Sequence, residues 1–121
     1  MKTLTLNPNP LIPGTKVADY VISGVLGDGG FGIVYSAHDE RLGRTIAIKE
    51  YLPSAIAGRT NDQLIRVRTA DNAKVFDDGL RRFLAEAKLL AQFSHPALVG
   101  IHRVWEENET AYMAKIGRAH V

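Results

Sequence analysis

The chain has 121 residues, of which 45% are hydrophobic and 23% are charged, as expected for one small globular domain or part of a larger one. Its formal net charge of +2 is too small to indicate a nucleic-acid partner. The absence of cysteine excludes disulfides and thiolate metal sites and is typical of a reducing compartment, so we expect a cytoplasmic location. No apolar run approaches the ~20 residues of a membrane-spanning helix, and the N-terminus lacks the apolar core of a secretory signal.

The N-terminal segment contains three prolines, Pro8, Pro10 and Pro13, followed by Gly14. Proline removes a backbone hydrogen-bond donor and favours extended or turn geometry. We therefore interpret residues 1–16 as an extended leader, which either lies along the domain or is disordered.

A glycine-rich stretch separates two segments with strand-like composition, 20–27 and 32–38. The stretch reads Leu26-Gly27-Asp28-Gly29-Gly30-Phe31-Gly32. Because glycine has no Cβ, backbone N–H groups in such a turn can approach an anionic ligand closely. The pattern predicts a hairpin whose tip, with Phe31 on it, covers a phosphate group.

A third strand is predicted over 45–51, where Ile46 and Ile48 alternate with Ala47 and Lys49. Side chains two residues apart on a strand share a face. Ala47 and Lys49 therefore lie on one face, and a small residue beside a cation there suits an adenine with its phosphates beyond.

The connection 52–71 is interrupted by Pro53 and Gly58 and could contain a short extra strand over 63–68. Arg66 and Arg68 would share one face of that strand. They could bind a phosphate or a partner, although a solvated strand edge is the simpler interpretation.

The apolar period changes to that of a helix over 72–93. Asp77 and Asp78 favour a helix N-terminus at that point, and Gly79 favours a break nearby. Pro96 ends the helix, since proline disfavours helical geometry in the residue before it. The apolar stripe consists of Leu80, Phe83, Leu84, Ala87, Leu90 and Ala91.

Glu86 lies beside this stripe, one helical turn after Arg82. The ordinary interpretation is a solvated Arg82–Glu86 pair worth a few tenths of a kcal/mol. Two further strands are predicted over 98–106 and from Thr110 onward, with a turn at 107–109. The final residues read Ile-Gly-Arg-Ala-His-Val, which one reading frame of a common sequencing adapter encodes. We therefore expect residues 115–121 to be a non-native tail.

Two groups of motifs resemble bacterial eukaryotic-like serine/threonine protein kinases. One is Gly27-x-Gly29-x-Phe31-Gly32-x-Val34 followed by Ala47-Ile48-Lys49; the other is Phe83-Leu84-Ala85-Glu86-Ala87 followed by His95-Pro96. A lone G-x-G-x-x-G is weak evidence, but the added valine and A-I-K strand make the match specific. The resemblance implies that residues 17–114 form a kinase N-terminal lobe. Its expected fold is α+β, a five-stranded antiparallel sheet with one main helix, without the C-terminal lobe.

The resemblance also implies the site. Val34 and Ala47 would line the adenine of ATP, the glycine-loop backbone would cover the phosphates, and Glu86 would hold Lys49 against them. The implied catalytic residues are therefore Lys49 and Glu86. The implied nucleotide-binding residues are Leu26, Gly27, Asp28, Gly29, Gly30, Phe31, Gly32, Val34, Ala47 and Lys49.

Two kinase motifs do not occur in this sequence, H-R-D-x-x-x-x-N and D-F-G. They carry the catalytic base and the Mg²⁺ ligands, so the resemblance places Mg²⁺ and protein-substrate binding in the absent C-terminal lobe and no metal ligand in this chain. We expect these 121 residues to bind ATP weakly and to have no kinase activity alone.

Alternative classes remain at this point. The parent protein could be a nucleotide-binding pseudokinase or scaffold. A dinucleotide-binding domain would require a helix directly after Gly32. An NTPase P-loop is excluded, because it requires lysine directly after its last glycine and Ile33 stands there.

Overall fold

The computed structural model describes residues 9–92 and 100–116. In these residues the elements in chain order are β1 (Lys16–Val17), β2 (Tyr20–Gly29), β3 (Gly32–Asp39), β4 (Arg44–Tyr51), β5 (Ala57–Arg59), β6 (Ile65–Val67), a 3₁₀ turn (Ala70–Asn72), α1 (Ala73–Ala91), β7 (Gly100–Glu107) and β8 (Thr110–Ile116). The predicted α+β architecture is confirmed. Among the described residues the main sheet has six strands in the order β1-β2-β3-β4-β8-β7, because β1 adds a short edge strand to the five expected.

The glycine-rich stretch connects β2 to β3 as an antiparallel hairpin. Gly32 begins a strand, so the dinucleotide-binding alternative, which needs a helix there, is wrong. In the next pairing Val34 lies opposite Lys49, and Lys49 in turn lies opposite Met113 of β8. Lys49 therefore lies in the middle of the sheet, on a strand that is paired with a neighbouring strand on each side.

Helix α1 packs across β7 and β8 and buries Phe76, Phe83 and Ala87. Phe83 and Ala87 belong to the predicted apolar stripe. Leu90 and Ala91, at the end of that stripe, are exposed. The helix predicted over 72–93 agrees with α1, but Asp77 and Asp78 lie inside the helix and do not mark its N-terminus.

No helix break occurs at Gly79, contrary to the sequence expectation. A Cβ on Gly79 would collide with the hydroxyl of Tyr51, and that hydroxyl donates a hydrogen bond to the Phe76 carbonyl at 2.9 Å. The Tyr51 ring also contacts the Phe76 and Phe83 rings, with centroid distances of 5.1 and 5.8 Å. Gly79 is thus explained by close helix–sheet packing.

The opposite face of the sheet is covered by the N-terminal segment. Leu11 is buried, and its N–H donates to the Tyr35 hydroxyl at 3.0 Å. Gly14 and Thr15 exchange backbone hydrogen bonds with Ile22 at 2.8 and 2.9 Å. The part of the predicted leader that is described, from residue 9, therefore lies along the domain.

The connection after β4 forms a second, two-stranded hairpin, β5–β6, which includes the extra strand suggested by the sequence. The Ile65 N–H donates to the Asn108 carbonyl at 2.8 Å, and Arg66 pairs with Glu109 at 3.4 Å. The hairpin is thereby attached to the turn between β7 and β8.

Strand β8 extends beyond Ala114, since Lys115 pairs with Ala47 and with Ile101. The predicted tail at 115–121 thus begins inside a strand, while 117–121 lie outside the described residues. Residues 93–99 also lie outside the described residues, and they include Pro96, where the helix is predicted to end, and the loop residue His95. In the described parts of the chain, no helix combines the length and apolar character needed to cross a bilayer.

Candidate functional site

A cavity of about 510 Å³ lies between the tip of the glycine hairpin, β4, the connection after β4 and helix α1. Its wall combines apolar side chains with three charged ones, Lys49, Arg82 and Glu86. The lining residues are Phe31, Lys49, Tyr51, Pro53, Ile56, Val75, Gly79, Arg82, Phe83 and Glu86.

The structure brings Lys49, Glu86 and Phe31 to this one cavity. Lys49 comes from the centre of β4 and is half-buried, whereas Glu86 is exposed on α1. Lysine and glutamate therefore lie on the same side of the sheet. Within the described residues, however, Glu86 forms no ion pair within 4.0 Å, either with Lys49 or with Arg82.

The tip of the glycine hairpin is open. The Phe31 side chain is 80% exposed and Leu26 is 64% exposed. A Cβ added at Gly27, Gly29 or Gly30 would meet no protein atom within 4 Å. Packing among the described residues therefore does not require glycine at these three positions.

Gly32 differs from the other loop glycines. A Cβ there would collide with the carbonyl oxygen of Glu50 on the paired strand. This glycine is explained by the close approach of two backbones, independently of any ligand.

Val34 and Ala47 are half-buried on β3 and β4 and are not part of the cavity wall. Val34 lies opposite Lys49, and Ala47 lies opposite Ser36. Ala47 and Lys49 are both half-buried, whereas Ile46 and Ile48 are buried, consistent with the face-sharing predicted from strand periodicity.

Sequence reasoning missed Arg82 as a cavity residue, although its position one turn before Glu86 places both on one helix face. With Lys49 it gives the cavity two cations against one carboxylate. Because a negatively charged ligand is attracted by such an excess of positive charge, the arrangement suits an anion next to an apolar wall.

A second missed residue is Glu50, which is fully buried next to Lys49 in the chain. Its carboxylate accepts hydrogen bonds from the hydroxyls of Tyr35 at 2.7 Å and Tyr112 at 2.6 Å, and from the Arg59 guanidinium at 2.5 Å. Burial, with the nearby Glu50 charge, raises the pKa of both tyrosines well above their ordinary range. No local pattern in the sequence marked this residue, because its partners are 9, 15 and 62 residues away.

Arg59 extends this buried network to the N-terminal segment. Its Nε donates to the Asn9 carbonyl at 2.6 Å, and a second guanidinium nitrogen, Nη1, donates to the Gln63 carbonyl at 2.8 Å. One glutamate thus ties the sheet, the β5–β6 hairpin and the leader together on the face away from the cavity.

No group of three or more histidine or acidic side chains is placed to hold a metal in the described parts of the chain. Among the described residues that line the cavity, Glu86 is the single acidic one. Nothing in this geometry therefore forms a metal centre from the described residues alone.

The chain is similar to curated bacterial kinases. It is 31% identical over 93 residues to the serine/threonine-protein kinase PknD of Chlamydia muridarum, and 33% identical over 104 residues to the DNA damage-responsive serine/threonine-protein kinase RqkA of Deinococcus radiodurans. These matches cover 77% and 83% of this chain but only 8% and 12% of those relatives. No protein-family model matches the chain.

Solved structures agree. An apo form of PpkA-294 is 50% identical, with a TM-score of 0.85, over 88% of this chain and 38% of that one. The kinase domain of PknI from Mycobacterium tuberculosis, at 22% identity and a TM-score of 0.57 for a double mutant, supports the fold alone. The fold is that of a protein-kinase N-terminal lobe. The chain belongs to the bacterial serine/threonine protein kinases and covers a fragment of their kinase domain.

Proposed function

We propose that this chain is the ATP-binding lobe of a protein kinase that transfers the γ-phosphoryl group of ATP to serine or threonine hydroxyls of protein substrates. The observation that carries the proposal is the convergence of Lys49 and Glu86 on one cavity beneath the tip of the glycine hairpin. Phosphoryl transfer depends mainly on positioning and on neutralising charge, and a strand lysine steadied by a helix carboxylate supplies both.

In this proposal the backbone of residues 27–32 covers the phosphates and the Lys49 ammonium neutralises their charge. Glu86 orients the ammonium when the nucleotide is bound. Val34 and Ala47 contact the adenine, with Leu26 at the edge. Magnesium would neutralise part of the phosphate charge, and residues of the other lobe of the kinase domain would hold it.

The open glycines support a ligand at the hairpin tip. Neither packing nor a left-handed backbone conformation requires glycine at positions 27, 29 and 30, since these have no Cβ neighbour and no positive φ. Close approach of a triphosphate to the backbone would explain why glycine occupies these positions. The absence of cysteine favours a reducing compartment such as the cytoplasm as the site of action.

The proposal is tested by titrating the purified chain with a fluorescent ATP analogue in the presence of Mg²⁺. Replacing Lys49 with methionine should weaken binding about tenfold or more, because a charge-assisted contact to phosphate contributes roughly 1.5–3 kcal/mol. Lys88→Met is the matched control, since Lys88 is an exposed lysine of the same lobe outside the cavity wall. Equal affinities of the two variants for the ATP analogue would contradict the proposed role of Lys49 in binding the phosphates.

A second candidate function is a nucleotide-binding scaffold without phosphoryl transfer. It is favoured by the absence of a Lys49–Glu86 ion pair within 4.0 Å among the described residues. The two functions separate in a single-turnover assay of the parent kinase: transfer of labelled phosphate to a serine or threonine, abolished by Lys49→Met, excludes the scaffold.

A further inference from the structure

The connection after β4 is bonded to the tip of the glycine hairpin. The Leu52 N–H donates to the Phe31 carbonyl and the Ser54 N–H donates to the Gly30 carbonyl, both at 3.0 Å. These bonds continue the β3–β4 pairing beyond its last registered pair, Gly32 with Tyr51. The side chain at the tip of the glycine loop is exposed, but the loop backbone is therefore hydrogen-bonded to the connection after β4.

The attachment point is itself held by an arginine. Arg68 Nη1 donates to the Ser54 carbonyl at 2.7 Å, and the Arg68 N–H donates to the Ile56 carbonyl at 2.9 Å. Ser54 thus bonds to the glycine loop through its N–H and to Arg68 through its carbonyl. The sequence interpretation of Arg68 as a solvated strand edge misses this contact.

The hairpin that carries Arg68 has a firm base. Arg59 at the end of β5 is ion-paired with the buried Glu50, and Ile65 at the start of β6 is bonded to the β7–β8 turn. The β5–β6 hairpin, from which Arg68 donates its hydrogen bond to Ser54, is therefore attached to the sheet at two other places.

We propose that Arg68 is a positioning residue for the phosphate-binding loop. Arg68 holds Ser54 through the Ser54 carbonyl, and the Ser54 N–H in turn holds the Gly30 carbonyl. The distance between the glycine loop and the cavity is thereby fixed. Glycine loses more conformational freedom on ordering than other residues. A loop that is ordered before the nucleotide arrives avoids part of that entropic cost on binding. This inference rests on the proposed function of the loop.

The chain offers a matched control two residues away. Arg66 is an exposed arginine of the same hairpin, but it pairs with Glu109 of the turn between β7 and β8. Arg66→Ala and Arg68→Ala remove the same charge and the same side-chain volume, and only the second removes the contact to Ser54.

Hydrogen exchange of the nucleotide-free chain, followed residue by residue by NMR, tests the attachment directly. A hydrogen bond contributes roughly 0.5–1.5 kcal/mol, so Arg68→Ala should speed exchange of the Ser54 amide by about two- to tenfold. Arg66→Ala should leave it unchanged, and Arg68→Lys, which keeps a positively charged donor group, should restore part of the protection. Equal Ser54 exchange in the Arg66→Ala and Arg68→Ala chains overturns the proposal. Urea unfolding of both variants shows whether either has lost global stability.

Binding of the fluorescent ATP analogue with Mg²⁺ supplies the functional readout. Arg68→Ala should bind it about two- to tenfold more weakly than Arg66→Ala, by the same hydrogen-bond magnitude. If the unsubstituted chain binds no nucleotide, the proposed function fails, and the exchange experiment still decides whether Arg68 orders the loop. If nucleotide binds equally to both variants, the positioning role is overturned while the proposed function stands.

Discussion

Lys49 and Glu86 line the same cavity from the sheet and from the helix, yet no ion pair within 4.0 Å joins them in the described structure. The lysine is fixed at the centre of the sheet, whereas the glutamate is exposed on a helix. Forming the pair therefore requires movement of the Lys49 side chain, of the Glu86 side chain or of α1, rather than movement of the strand.

A double-mutant cycle with Lys49→Met and Glu86→Gln measures this relationship. Without nucleotide the two substitutions should add in unfolding free energy to within about 0.5 kcal/mol, because no ion pair joins the two groups. In affinity for the fluorescent ATP analogue with Mg²⁺ they should couple by about 1 kcal/mol, roughly fivefold. Strong coupling in stability without nucleotide would mean that the pair is already formed.

Substitutions at two loop glycines, Gly29 and Gly32, should distinguish a role in ligand binding from a role in packing. Gly29→Ala should change the unfolding free energy by less than about 0.5 kcal/mol, because open space surrounds its Cβ position. It should still weaken binding of the ATP analogue several-fold. Gly32→Ala should cost about 1–3 kcal/mol of stability, since the new Cβ collides with the Glu50 carbonyl. Urea denaturation and nucleotide titration of both variants distinguish the two roles.

Glu50→Gln tests the buried network. Removing this charge leaves the Arg59 guanidinium, whose side chain is 6% exposed, without its partner, so we expect a loss of about 3–5 kcal/mol in unfolding free energy. Glu106→Gln, an exposed glutamate of β7, is the control and should stay within about 0.5 kcal/mol. Similar unfolding midpoints for the two variants would show that the network contributes little.

Stability should fall in alkaline solution. Burial and the Glu50 charge raise the pKa of Tyr35 and Tyr112 in the folded state, so above about pH 10 the unfolded chain binds fewer protons than the folded one. The unfolding free energy should be insensitive to these tyrosines between pH 7 and 9 and decrease above about pH 10. Urea unfolding at several pH values measures the slope. A Tyr112→Phe variant should show a shallower decrease, and an unchanged slope would contradict this assignment.

Gly79→Ala should destabilise the chain even though alanine favours an isolated helix by roughly 1 kcal/mol. The added Cβ collides with the Tyr51 hydroxyl, and the Tyr51 ring carbon that bears it lies 3.1 Å from the Cβ position. In a Tyr51→Phe background the same substitution should therefore cost less. Thermal unfolding of the four chains gives the comparison, and an equal cost in both backgrounds would refute the packing explanation.

Much of the fold follows from local patterns. The glycine turn between β-branched segments predicts the β2–β3 hairpin, the alternation around Lys49 predicts β4, and the apolar stripe from Leu80 to Ala91 predicts α1. Asp77 and Asp78 do not mark the start of the helix, because residues with capping propensity also occur in helix interiors, where Asp78 pairs with Lys74 at 2.8 Å.

The sequence by itself determined the family, the glycine-rich hairpin and the strand that carries Lys49, because these depend on residues close together in the chain. Only the tertiary structure decided the roles of Glu50, Gly79 and Arg68. Each is defined by a partner that short-range periodicity cannot place: a tyrosine hydroxyl 62 residues from Glu50, a Tyr51 hydroxyl against Gly79, and a Ser54 carbonyl held by Arg68. Contacts of this kind exist only after the layers have packed.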